Sequence, residues 1–191
     1  MKTAFILGNG TSRSPIDVAN LPGDTFGCNA IYRDFMPTFL FAVDKRMVDE
    51  FGVNIEHPTN VYVKPYTNMQ YKFQTIPVRQ GRGMCSGVAA TRTAVAWGYE
   101  RIILLGMDLS GHKGYINNVY AGTKNYASER HRAINSAKWI EHISETLEAN
   151  KNIVWERVID ENCLIPKGWQ SKMTHWTVDE FLLRIGAGLY E

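Results

Sequence analysis

The chain is 191 residues long, 45% hydrophobic and 21% charged, a balance that excludes a disordered chain and a coiled coil. Lys plus Arg number 21 and Asp plus Glu 19, so the net charge of +2 is too small to draw nucleic acid by bulk electrostatics. No apolar run approaches the roughly 20 residues that cross a bilayer, and the length fits one domain with a sizeable core.

Met1 to Ala4 lead straight into a strand and a glycine loop, with no apolar leader and no cleavage site. No signal peptide is read there, and a cytoplasmic protein is expected. Short apolar runs bounded by turns predict strands at 4–7, 25–28, 38–43, 60–63, 101–105 and 152–158. The runs at 4–7, 38–43 and 101–105 are nearly continuous, the pattern of strands covered on both faces of a parallel sheet. Helical patterns predict helices over 44–51, 87–97, 128–150 and 177–185. The alternation gives an α/β domain with a largely parallel sheet and right-handed crossovers. Two stretches break the rhythm. Residues 64–83 are weakly periodic, with Pro65, Pro77, Gly81 and Gly83. Residues 109–127 carry Gly111, Gly114 and Gly122 with Tyr115, Tyr120 and Tyr126, and are expected to form a functional lid, mobile without ligand. Cys28, Cys85 and Cys163 are an odd set without a C-x-x-C pair, which fits reduced thiols rather than a zinc site.

Gly8-Asn9-Gly10-Thr11-Ser12 follows the first strand, where glycines can bring backbone N–H groups close to a phosphate; a plain strand-to-helix turn is the alternative. Arg13 stands where a dinucleotide fingerprint has its third glycine, and Asn29 where it has an acid. NAD is therefore disfavoured, whereas a nucleotide is not. Ser86 and Gly87 open the second helical pattern, either as simple capping or as a dock for an anion or a ribose hydroxyl. Cys85 beside them would be a nucleophile if the helix end lowered its pKa. Asp108 follows the strand at 101–105, at the strand end where open α/β sheets bind ligands. It can orient a sugar hydroxyl, close an Asx turn, or both. With Ser128 as N-cap, His131 falls in the first turn of the 128–150 helix, just past the lid, where the positive helix end keeps an imidazole neutral and able to accept a proton. His142 reads as part of a solvated face, and His57 and His112 as loop residues. No two aspartates stand two apart, so the acidic pair that holds a metal in many sugar-nucleotide enzymes is missing. A transferase built on this chain would stabilise its leaving group with Lys, Arg and Tyr side chains and helix N-termini instead.

In order, Ala4–Ser12 (AFILGNGTS), Gly27–Tyr32 (GCNAIY), Ser86-Gly87, Ala94–Tyr99 (AVAWGY) and Ile102–Asp108 (IILLGMD) resemble the bacterial lipooligosaccharide sialyltransferases over roughly residues 3–160. The resemblance implies one Rossmann-like domain, spanning 1–191 here, with a lid at about 109–127. It also implies metal-independent transfer of a sugar from a cytidine monophosphate donor to a glycan hydroxyl, with no cofactor. It implies that Gly8, Asn9, Gly10, Asn29, Ser86, Gly87, Gly106 and Asp108 line the donor site, that His131 is the general base, and that lid tyrosines hold the leaving phosphate, with Tyr115, Tyr120 and Tyr126 as the candidates. Asp44 stands where that family has an asparagine on the donor. The same core resembles a wider group that includes archaeal 6-hydroxymethylpterin diphosphokinases and motility-linked glycosylation proteins. That resemblance implies ATP and magnesium held by Asp44 and Asp108. A third reading is a nucleotide-sugar or glycan-binding module without turnover. The partners expected are a nucleotide sugar and a glycan acceptor, with no nucleic acid; self-association stays open.

Overall fold

A computed structural model of the chain describes residues 1–56, 58–67 and 71–191. His57, read above as a loop residue, and 68–70 of the aperiodic stretch lie outside the described residues. The strands are β1 (Thr3–Leu7), β2 (Asp24–Cys28), β3 (Phe39–Ala42), β4 (Val61–Val63), β5 (Gln74–Thr75), β6 (Arg101–Leu105), β7 (Val154–Ile159) and β8 (Thr174–Thr177). The helices are α1 (Lys45–Asn54), α2 (Ser86–Ala96), α3 (Ala137–Ala149) and α4 (Val178–Gly186). All strand pairs are parallel, in the order β5-β4-β3-β2-β1-β6-β7-β8, a Rossmann-like α/β arrangement.

The side-chain period of two explains the two cores. Ala4 and Ile6 of β1 face one side, with Phe26, Phe41, Ile102 and Leu104, and are covered by Val88 and Ala94 of α2 and Ile143 and Leu147 of α3. Phe5 and Leu7 face the other side, with Leu40, Ile103 and Leu105, under Met47, Val48 and Phe51 of α1 and Phe181 of α4. Each of the buried Val, Leu, Ile, Met and Phe side chains among these stabilises the fold by about 1.5–3 kcal/mol. The chain steps outward from β1 to β5, returns through α2 to β6 beside β1, and then steps the other way. That reversal puts α1 on one face and α2 and α3 on the other, and it opens a crevice between the β1 and β6 loops.

Several boundaries differ from the sequence reading. β8 was not foreseen, because Thr174-His175-Trp176-Thr177 is short and polar; it is an edge strand, paired Arg157↔His175 with β7. It runs directly into α4, where Thr177 and Glu180 form a capping box. α3 begins at Ala137, so residues 128–136 are not helical. Ser128 closes a turn there by accepting the Arg130 N–H at 3.1 Å. His142 is buried rather than solvated, and with Ile143, Thr146 and Leu147 it makes the inward face of α3.

Candidate functional site

The crevice is closed at its base by backbone packed on backbone. The Gly8 N–H donates to Leu105 O and the Gly10 N–H to Gly106 O, both at 2.8 Å. A Cβ on Gly8 would strike the Gly106 carbonyl, and one on Gly106, which sits at φ +63°, would lie 2.7 Å from Gly8 O. Only glycine permits that approach. A Cβ on Gly10 would enter the Asp108 carboxylate. Asp108 is buried and accepts the Ser12 N–H at 3.1 Å, the Ser12 hydroxyl, and Asn117 Nδ2 at 3.0 Å. The Thr11 N–H is taken by Asn117 Oδ1 at 3.2 Å. The N–H groups of Gly8, Gly10, Thr11 and Ser12 are therefore spent inside the protein, and this loop does not offer them as a phosphate cradle. Of the two roles open to Asp108, fastening the loop is the one its contacts perform. Arg157, fully buried on β7, holds the far side of the knot by donating to the carbonyls of Met107 at 2.6 Å and Asp108 at 3.2 Å.

Above the knot lies a cavity of about 620 Å³. Gly8, Asn9, Gly10, Asn29, Asp44, Ser86, Gly87, Gly106 and Asp108 all line it, so residues expected to share a site do converge from five separate segments. Asn29 directly follows β2 at φ +55°, a left-handed conformation that asparagine tolerates better than other side chains. Its Oδ1 accepts the Ser86 hydroxyl at 2.9 Å, and Ser86 Oγ accepts the Val43 N–H at 3.2 Å. One polar pair thus joins the ends of β2 and β3 to the start of α2. The positive end of α2 faces the same space through Cys85, Ser86 and Gly87. Burial pushes the Cys85 thiol up to about 11, against the pull of the Val88 and Gly87 N–H groups. At neutral pH it is a neutral thiol, which speaks against a nucleophile.

The charges that face the cavity differ in their ties. Lys45 is paired with Asp49 at 2.6 Å. Asp44 and Arg46 are lining residues, and their side chains have no hydrogen-bond or ion-pair partner among the described residues. Asp44 is the α1 N-cap residue, yet its side chain makes no capping bond. Arg46 and Trp139 are lining residues that pattern reading missed, whereas Tyr126 is among the lid tyrosines expected there.

The lid expected at 109–127 lies over the cavity as turns rather than helix or strand. Its ties are mostly polar. The Val119 N–H donates to Asn9 O at 2.8 Å. Tyr126 accepts from Asn9 Nδ2 at 3.2 Å and from the Ala30 N–H at 3.4 Å. Two N–H groups donate to its oxygen, so neither of these bonds uses the Tyr126 proton. Burial pushes this phenol up to about 12, so it remains a donor at neutral pH. Tyr126, and not the other two tyrosines, is the lid phenol in the cavity. Tyr120 is buried against the α1 and α4 core, where its hydroxyl donates to Asp34 and accepts from Arg13 Nη2 at 3.1 Å; it fastens the lid and does not line the site. Tyr115 is 51% exposed and also outside the lining.

The same correction applies to His131. It is exposed, it precedes α3 by a whole turn and more, and it is not a lining residue. Its backbone braces the wall instead, through Ile116 N–H to His131 O at 3.0 Å. Among the described residues no histidine lines the cavity, and Asp44 is the one lining carboxylate free of protein donors. The Asp44 and Asp108 pair does not suit magnesium in this arrangement, because Asp108 is already filled by Ser12 and Asn117. Among the described residues no three His, Cys, Asp or Glu side chains cluster as metal ligands, and no helix is long and apolar enough to cross a membrane. Compared with known proteins, the chain matches no family model, no curated protein and no solved structure, so the chemistry of the cavity rests on its own residues.

Proposed function

We propose that the protein is a metal-independent glycosyltransferase, using a sugar linked to a nucleotide, cytidine monophosphate by the resemblance above. The observation that carries the reading is the cavity at the reversal of strand order, where Asn29 and Ser86 are bonded to each other beside the positive end of α2. A cavity of about 620 Å³ suits a ligand of nucleotide-sugar size. In this reading the nucleotide phosphate lies at the start of α2, with Arg46 and the Tyr126 hydroxyl as further partners. Asp44 takes the proton of the acceptor hydroxyl as that oxygen bonds to the anomeric carbon. The bond from sugar to phosphate breaks, and the leaving nucleotide keeps the electron pair, its charge met by α2, Arg46 and Tyr126.

The test is donor turnover by two variants. Asp44→Asn is expected to lose about 100-fold or more in transfer while keeping nucleotide affinity, the scale of general-base catalysis. His131→Ala is expected to transfer at the wild-type rate. The opposite result would return the base to His131. Absence of stabilisation by any cytidine nucleotide, in a thermal-shift series with and without magnesium, would remove the nucleotide reading altogether.

A further inference from the structure

We infer that Glu50 is the latch of the lid, a positioning residue that completes the cavity wall through Asn125 and Tyr126 without touching the ligand. The inference rests on the cavity being the binding site and not on which ligand enters it. Glu50 lies on the inner face of α1, 5% exposed, and is not a lining residue. A buried carboxylate needs compensation, and this one receives it from three sides. Arg33 forks onto it, Nε to Oε1 and Nη2 to Oε2, both at 2.8 Å. The Tyr32 hydroxyl donates to Oε1 at 2.6 Å, and Asn125 Nδ2 donates to Oε2 at 2.6 Å.

Tyr32 and Arg33 belong to the turn after β2, whereas Asn125 belongs to the lid. The remaining Arg33 donors continue into the lid, Nη1 to Thr123 Oγ1 at 2.9 Å and Nη2 to Lys124 O at 2.8 Å. The lid segment 123–125 is therefore clamped by one ion pair that lies outside the cavity. Asn125 adopts φ +67° to make its reach, a backbone state that costs a non-glycine residue free energy unless something holds it. The next residue is Tyr126, so the clamp sets the position of the one lid phenol that faces the cavity. Gly122, at φ +76° with open space where a Cβ would stand, is a ready hinge just before the clamp.

The test needs no ligand. Lys124 is exposed and forms part of the clamped segment, so limited trypsin cleavage after Lys124 reports lid opening. Amide exchange of 117–127, compared with that of β1 and β6, separates the lid from the fold. Asn125→Ala removes the lid's one side-chain bond to Glu50 while leaving the Arg33 bonds to Thr123 and Lys124, and is expected to raise cleavage after Lys124 about 10-fold, with β1 and β6 exchange unchanged. Glu50→Ala is expected to exceed that. Glu50→Gln, which still accepts from Asn125 and Tyr32, is expected to fall between wild type and Glu50→Ala. Unchanged cleavage in Asn125→Ala overturns the inference. So does a rise in core exchange equal to that of the lid, which would make Glu50 a general structural residue. Addition of cytidine monophosphate to the wild type separates the two claims. If it fails to protect Lys124 while Asn125→Ala still opens the lid, the latch stands and the nucleotide reading falls.

Discussion

Two regions meet over the cavity, and they are held in opposite ways. The knot between the β1 and β6 loops is backbone against backbone, with Gly8, Gly10 and Gly106 leaving no room for a side chain and Asp108 and Arg157 fastening it from either side. The lid is held by side chains reaching across the chain, from Asn9, Asp34, Arg33 and Glu50. The first arrangement is all-or-none, because a carbonyl cannot yield to a Cβ. The second is graded, because each bond can be lost singly. A rigid floor under a releasable roof is what a site needs if ligand must enter and then be enclosed.

Substitutions in the knot are expected to do the most damage. Gly8→Ala should cost about 3 kcal/mol and lower Tm by about 10 °C, since the new Cβ meets the Gly106 carbonyl. A wild-type melting curve for this variant would show that the two loops separate easily, and the contrast with the lid would disappear. Asp108→Ala should cost about 2 kcal/mol by orphaning the Ser12 and Asn117 donors, and should loosen both regions, because Asn117 belongs to the lid.

Effects in the lid are expected to be smaller and local. Tyr120→Phe keeps the ring but removes the hydroxyl between Asp34 and Arg13, for about 1 kcal/mol, seen as faster exchange at 117–127. Acid should act through Glu50. Burial pushes this carboxyl up, but hydrogen bonds from Tyr32, Arg33 and Asn125 outweigh it and hold the group below its ordinary value. A carboxyl depressed in the folded state contributes its stability above the unfolded pKa of about 4.3 and loses it as pH falls through the folded value. Lid protection measured by amide exchange should therefore stay constant from neutral pH to about 5 and decline only below about 4. A decline near pH 6 would mean that another group controls the lid. Tyr115→Ala, at an exposed lid position outside the cavity, should change stability by no more than about 0.5 kcal/mol.

The same contrast explains what could be read from sequence. The glycines, the polar pair Asn29 and Ser86, and the strand runs are local signals tied to period and turn chemistry, and the sheet and the floor of the cavity followed from them. Short polar β8 has no such signal. The start of α3 was misplaced because Ser128 is a good N-cap by type, yet the chain there pairs with the lid through Tyr115 and Arg132 before the helix begins. With that turn His131 lost its expected place at a helix start. Lid partners are separated by tens of residues, as with Glu50 and Asn125, so no window on the sequence could have shown which tyrosine faces the cavity.

The central claim is that a nucleotide binds at the start of α2 under the lid. Arg46 tests it most directly, because it is a lining residue whose side chain has no partner among the described residues, so its removal leaves the fold intact. Titration calorimetry of cytidine monophosphate into wild type and Arg46→Ala is the measurement. The account predicts binding by the wild type, about 10-fold weaker binding by the variant, and equal melting temperatures of the two free proteins. Equal affinities, or no binding by the wild type, would contradict it.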